Sequence, residues 1–346
     1  MSNLKMTSLQ RVLTALSHQE PDRVPFFLLL TMHGATLHGV SIREYFSQPE
    51  LVADAQIRLR EKFGHDCLYA FHYAAVECEA WGAEVIYRDD GPPNTGEPFI
   101  RRPDDIRRLA CPDVSAAPSL TKVCRAIRLM KERIGDQAPI IGVVMSPFSL
   151  PVMQMGFESY IELMYEQPDL FERLMQINED FCVAWANAQL QAGATAICYF
   201  DPVSSATIVS PDLYRKTGCE IACRTIARIK GPTATHFASG RCLSIVDDVA
   251  RTGTAVVGVS VEESLAQLKQ KTRGKLSLLG NLNAIAMRRW TASEAERQVR
   301  EIIAQAAPGG GFIISDNHGE IPLQISDDVL MSIAETVRRY GTYPIR

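Results

Sequence analysis

Three observations predict a (β/α)8 TIM barrel, an α/β fold, for this chain. Apolar, β-branched runs of strand length recur about eight times, most of them separated by segments with helical periodicity. Alternating strand and helix implies a parallel sheet, and about eight such units favour closure into a barrel over an open doubly wound sheet, the alternative. Several runs also stop abruptly at polar residues, as in Phe312-Ile313-Ile314-Ser315-Asp316-Asn317-His318-Gly319. Positions just after buried strands are where α/β enzymes place their chemistry.

Taken in order, the strand-like runs are 24–31, 67–71, 139–145, 195–200, 232–237, 254–259, 276–280 and 311–315. Helical patterns fill 49–64, 119–134, 167–192, 211–229, 243–251, 262–271, 292–306 and 325–340. In the third of these, Leu170, Leu174, Ile177, Phe181 and Trp185 keep a spacing of roughly 3.6 residues. The N-terminal stretch from Met1 is amphipathic at helical spacing and adds helix ahead of the first strand. The rhythm breaks over 83–118, where Arg88-Asp89-Asp90-Gly91-Pro92-Pro93 is followed by Pro98, Pro103, Pro112 and Pro118. That stretch reads as an insertion, a small hairpin over one end of the barrel. No repeat or linker divides the chain, so residues 1–346 read as a single domain.

Composition narrows the function classes. A net charge of −4 leaves no basic footprint, and the Lys and Arg residues are scattered, which disfavours nucleic-acid binding. The nine cysteines are odd in number and form no Cys-x-x-Cys pair, which favours reduced thiols and a cytoplasmic location. The N-terminus lacks the apolar core of a signal peptide, and no run approaches the ~20 apolar residues of a membrane span. No membrane partner is expected.

In a barrel, catalytic groups belong at the C-terminal ends of the strands. The residues at those positions are His72 and Tyr73, Ser146, Asp201, His236, Asn281 and Asn283, and Asn317 and His318. Each also has a plainer reading. Asp201 precedes Pro202 and could cap a turn. Asn281 and Asn283 would point the same way in an extended segment, yet loop amides often satisfy backbone instead. His236 and His318 could each be a general acid or base, a metal ligand or a donor to a carbonyl. Zinc needs three or four converging ligands. Cys242 lies six residues from His236, and Cys219 and Cys223 share a helical face that continues into Ile226, so no metal site is expected. No dinucleotide fingerprint or P-loop occurs, and Gly309-Gly310-Gly311 precedes a strand, as a helix terminator and turn would.

Phe63-Gly64-His65-Asp66, Ser146-Pro147-Phe148-Ser149-Leu150, Gln191-Ala192-Gly193-Ala194, Gly280-Asn281-Leu282-Asn283 and Asn317-His318-Gly319 stand in the order and rough spacing of one known family. From about residue 8 to 340 the chain resembles the uroporphyrinogen decarboxylase superfamily. That superfamily is a (β/α) barrel holding both decarboxylases and corrinoid-dependent methyltransferases. The decarboxylase places an arginine-rich segment after its first strand, where this chain has Leu30-Thr31-Met32-His33-Gly34-Ala35. Its essential aspartate corresponds to Tyr73 and its tyrosine to Met153; of its main site residues only the terminal histidine, here His318, remains. A polyanionic tetrapyrrole needs cationic partners, so the resemblance favours the other branch.

The thiol-methylating (coenzyme M) members pair a strand-five histidine, here His236, with two cysteines that hold zinc and the acceptor thiolate. Ala238 and Asn317-His318 replace those cysteines, so the expected acceptor is not a thiol. The resemblance then implies methyl transfer from methylcobalamin to tetrahydrofolate without a metal. Asp201, Asn281, Asn283 and Asn317 would complement the donors and acceptors of a pterin edge, with His72, Tyr73 and His318 completing the substrate site. Asp201 or His236 would handle the proton. No Asp-x-His-x-x-Gly signature is present, so the corrinoid would arrive on a partner protein, at a wide mouth rimmed by 88–100. Decarboxylation, thiol methylation and a non-enzymatic binding role are the alternatives.

Overall fold

The computed structural model describes residues 6–345; the first five residues of the amphipathic N-terminal stretch lie outside them. Its strands are β1 (Leu68–Tyr69), β2 (Val85–Ile86), β3 (Asn94–Thr95), β4 (Ile140–Met145), β5 (Ala196–Phe200), β6 (Thr233–His236), β7 (Val256–Gly258), β8 (Ser277–Leu282) and β9 (Phe312–Asp316). Seven of them form one curled parallel sheet in the order β1-β4-β5-β6-β7-β8-β9, while β2 and β3 pair as an antiparallel hairpin inside the expected insertion. Helices cross between successive sheet strands, as parallel connections require.

The first expected strand, 24–31, does not form a regular ladder. Pro25 has no N–H to give, and Leu30 N turns back to Leu28 O at 2.9 Å. The segment nevertheless fills the gap between the sheet's two edges. Phe27 N donates to Ile314 O (2.8 Å) and Ile314 N to Pro25 O (3.0 Å), while Asp66 N donates to Phe26 O (2.8 Å) on the other side. It is the eighth stave, and it closes the TIM barrel. Alternation along it is preserved: Phe27 and Leu29 join Cys67, Tyr69, Val143, Cys198, Val256, Leu279 and Ile313 in the barrel interior, and Phe26, Leu28 and Leu30 pack outward.

An ionic knot pins this stave from below. The fully buried Asp66 accepts from Arg11 Nη1 (2.7 Å), Arg23 Nη1 (2.7 Å), Ser8 Oγ (2.8 Å) and Phe26 N (3.1 Å). Arg11, itself buried, belongs to the N-terminal helix Ser8–Leu16 and also grips Asp22 (Nε–Oδ1 2.6 Å). The apolar face of that helix closes the bottom of the barrel, with Val12 in the interior layer.

Elsewhere the expected helices are present, with 211–229 broken into Pro211–Lys216 and Gly218–Ile226 at Thr217. The short helices His33–His38, Ile42–Ser47, Val76–Ala80, Pro151–Met155 and Phe157–Glu166 were not legible as periodic patterns. The hairpin reaches the C-terminal face, where Asp90 O accepts from Gln324 Nε2 (2.6 Å). No described helix is long and apolar enough to cross a membrane.

Candidate functional site

Register brings Phe200, His236 and Gly258 side by side at the C-terminal ends of β5, β6 and β7. The His236 ring stacks on Phe200 (centroids 5.4 Å, planes 22° apart). Its room depends on glycine, because a Cβ on Gly258 would lie 2.5 Å from His236 Cδ2. Ala238 N donates to His236 Nδ1 at 3.0 Å, with Ala238 in the left-handed region at φ 51. An imidazole whose Nδ1 accepts carries its proton on Nε2, and that nitrogen is buried without a partner. Burial, with His318 adding repulsion, lowers the His236 pKa to about 4. His236 is therefore a neutral N–H donor, and the nitrogen that would accept a proton is engaged.

Asp201 is fully enclosed. Its Oδ1 accepts from Ser146 Oγ (2.5 Å) and Ser149 Oγ (2.7 Å), and its backbone N donates to His236 O (2.8 Å). Burial raises its pKa against the serine hydrogen bonds. This arrangement ties the loops after β4 and β5 together beside the histidine. Ser149 Oγ in turn accepts from Val203 N (3.1 Å), which extends the tie into the turn Pro202–Ser204.

The loops after β6, β7, β8 and β9 surround an open cavity of about 830 Å³ lined by Ser239, Glu262, Asn283, Trp290, Asn317 and His318, with Arg288 and Arg289 beside them. Asn283 Oδ1 accepts from Ala286 N (3.0 Å), and Asn317 Oδ1 from Ala284 N (3.3 Å). Both amides thus spend their oxygen on backbone, and among the described residues their NH2 groups have no protein partner. Asn281 does the reverse: its Nδ2 donates to Ser260 O (3.0 Å), inside the barrel rim and apart from the cavity lining. His318 Nδ1 meets Ser239 Oγ in a short contact, and partial burial lowers its pKa. It is a neutral imidazole able to take a proton.

His72 and Tyr73 are not brought to this group. His72 is buried against Phe46 (5.6 Å), with Nδ1 donating to Ala70 O (3.1 Å). The Tyr73 hydroxyl donates to Glu79 Oε2 (2.6 Å) and accepts from Lys122 Nζ (2.6 Å), in the helical layer outside the barrel. Both residues follow a strand of only two residues, and Phe71 ahead of them still packs against the interior layer.

Two acidic residues beside the site were not among those expected. Asp316 Oδ1 accepts from His318 N and Gly319 N (both 2.8 Å), while Oδ2 is buried without a partner; burial raises its pKa to about 6. Glu320 accepts from Thr31 Oγ1 in a short contact, and burial, with Asp316 adding repulsion, raises it to about 7. Tyr69 OH donates to Gly319 O (3.0 Å), so the 316–320 loop bends over the barrel axis. A Cβ on Gly319, at φ +89, would lie 2.8 Å from Phe200 Cε2. The signal was available: Asp316 ends an apolar run directly.

Among the described residues, no three His, Cys, Asp or Glu side chains form a metal-ligating group. Residues 7–340 match the family described as Uroporphyrinogen decarboxylase (URO-D). A methylcobamide:CoM methyltransferase, MtaA, from Methanosarcina barkeri is 28% identical over 283 residues, covering 79% of this chain and 82% of that protein. A uroporphyrinogen decarboxylase from Xylella fastidiosa is 26% identical over 353 aligned positions, covering 95% and 98%. A solved methyltransferase from Methanosarcina mazei superposes with a TM-score of 0.87 over 97% of this chain and 99% of that one; at 22% identity this likeness speaks for the fold alone. The chain belongs to the uroporphyrinogen decarboxylase family, and its relatives are methyltransferases and decarboxylases.

Proposed function

We propose that this chain transfers a methyl group from methylcobalamin, presented by a partner corrinoid protein, to tetrahydrofolate, with no metal in the step. The observation that carries the reading is the cavity over β8 and β9, where Asn283 and Asn317 present free NH2 groups beside Trp290 and a neutral His318. Pterin carbonyl and ring nitrogens accept from such amides, and an indole face packs against a flat aromatic ligand. Where thiol-methylating relatives would carry cysteines, Ala238 and Asn317-His318 provide no thiolate.

The corrinoid supplies the methyl group and departs as cob(I)alamin. This chain's share is positioning: the amides fix the pterin so that its N5 faces the methyl carbon in line. As the new N–C bond forms, the N5 proton leaves to His318, whose lowered pKa keeps it unprotonated at neutral pH. The His236 ring, held by Ala238 N and Phe200, and the Asp201 network form the inner wall in this reading and do not accept the proton. Exposed Ile208 and Ile285, on the loops after β5 and β8, provide apolar rim for the partner's cofactor.

The test is the visible spectrum of methylcobalamin with this protein and a metal chelator, with and without tetrahydrofolate. Folate-dependent formation of cob(I)alamin despite the chelator is the expected result. Activity restored only by zinc and a thiol, or decarboxylation of a porphyrinogen, would replace this reading with one of the family's other reactions.

A further inference from the structure

The same cavity carries a pair of cations that the transfer itself does not use. Arg288 and Arg289 lie on the turn Ala286–Arg289 directly after β8, both exposed and both at the cavity edge. The one acidic residue in the lining, Glu262, is already held by Arg241 (Nη2–Oε2 2.9 Å), and among the described residues neither Arg288 nor Arg289 has an ion-pair partner. Two adjacent guanidinium groups add positive charge to a lining that also holds the amides, Trp290 and the neutral His318. A ligand that uses the whole lining therefore combines a flat polar part with an anionic part.

We propose that Arg288 and Arg289 form a subsite for the carboxylates on the tail of the small-molecule methyl acceptor; with tetrahydrofolate as acceptor, the inference rests on the proposed methyl transfer and assigns its glutamate chain. Carboxylate is the better match than phosphate. A guanidinium fork meets either anion through two parallel hydrogen bonds, so the backbone around it decides. Phosphate sites instead lean on backbone N–H groups at a helix start or a glycine-rich turn. Here the lining has no glycine, and the next helix, Ala292–Ala306, is capped by Thr291 Oγ1 on Glu294 N (3.2 Å). A chain of several glutamates offers several carboxylates to two cations, so affinity rises with its length.

The experiment is calorimetric titration of the full chain and of the Arg288→Ala/Arg289→Ala double variant with three ligands: tetrahydrofolate monoglutamate, its triglutamate form, and a tri-γ-glutamate peptide alone. Inorganic phosphate is the competitor. In the unaltered chain the triglutamate form binds about tenfold tighter than the monoglutamate, and the double variant loses that difference. High salt erodes the gain, because the arginines are exposed. An Arg288→Lys/Arg289→Lys variant keeps part of the gain, which separates lost charge from misfolding. Arginine-dependent binding of the peptide with no binding of either folate supports the subsite and sinks the folate reading. Equal affinity of the unaltered chain and the Ala double variant for the triglutamate form overturns the subsite and leaves the folate reading intact. Phosphate competing as well as the peptide, or no binding of any of the three ligands, also overturns it.

Discussion

Replacing Gly258 by alanine tests whether the site's geometry is held by the barrel. Gly258 does not have a positive φ, so alanine is compatible with the backbone and by itself gains about 0.4–1 kcal/mol through a less flexible unfolded chain. Against that, the new Cβ would lie 2.5, 2.8 and 2.9 Å from Cδ2, Cγ and Nε2 of His236. The ring cannot give easily, since it is stacked on Phe200 and held by Ala238 N at 3.0 Å. Overpacking of this kind costs about 1–3 kcal/mol, so a net loss of about 1–2 kcal/mol is expected. In a His236→Ala background the obstructing ring is gone, and Gly258→Ala should be neutral or mildly stabilising there. Urea unfolding of the wild type, the two single variants and the double variant reads the coupling directly. An equal loss in both backgrounds would refute the idea that Gly258 exists to seat His236.

Three further outcomes are expected. Asp66→Ala should cost about 3–5 kcal/mol in thermal or urea unfolding, because Arg11 and Arg23 lose their shared buried partner, Arg11 keeping only Asp22, and the stave is freed at Phe26; a loss below about 1 kcal/mol would mean the knot is not what closes the barrel. Asp316→Asn probes the buried carboxyl. Its folded pKa is raised from 3.8 to about 6, so its stabilising contribution is complete below pH 3.8 and is lost as pH rises through 6. The Asn variant should thus be more stable than wild type at pH 7.5, by up to about 3 kcal/mol, with the advantage gone near pH 4; a pH-independent difference would contradict this sign. Asn283→Ala and Asn317→Ala should each weaken folate binding roughly fivefold to tenfold in equilibrium titration, and unchanged affinity in both would remove the pterin assignment.

Much of the architecture could be read from periodicity because buried parallel strands are short unbroken apolar runs, and seven of them are regular strands in the structure. The exception shows the limit. Residues 24–31 look more strand-like than most, yet Pro25 and the turn at Leu30 deny them a ladder, and their place between β9 and Asp66 is set by long-range hydrogen bonds. The five short helices could not be read either, since five to ten residues span too few turns for an apolar stripe to repeat. At the site, the structure brings Asn283, Asn317 and His318 to one cavity, sets His236 near His318, and leaves His72 and Tyr73 apart from it. The two-residue β1 ends early; Phe71 still packs on Tyr69 in the interior, while the His72 and Tyr73 rings pack on Phe46. Asp316 ends an apolar run and was legible as a strand-end residue, whereas Glu320, four residues on, carries no such signal, since sequence shows a carboxylate's type and not its burial.

For the loop asparagines a structural and a recognition role do not compete. Asn283 and Asn317 each use the side-chain oxygen to satisfy a backbone N–H, at Ala286 and Ala284. That bond fixes the amide plane, so the remaining NH2 is aimed before any ligand arrives and loses little freedom on binding. A solvent-facing amide with neither end engaged would have to be ordered by the ligand itself. In the proposed reading the structural role is what makes the recognition role effective, and removing the whole side chain should abolish both. A substitution such as Asn317→Asp, which keeps the accepting oxygen but replaces the NH2 with a carboxylate oxygen, separates them: it should preserve the turn at Ala284 while repelling an acceptor atom of the ligand. Because Asn317 is buried, the new carboxylate costs stability at neutral pH and less at acid pH, where it is protonated; a variant that still folds but has lost folate affinity is the expected result, and affinity retained would show that Asn317 serves the loop alone.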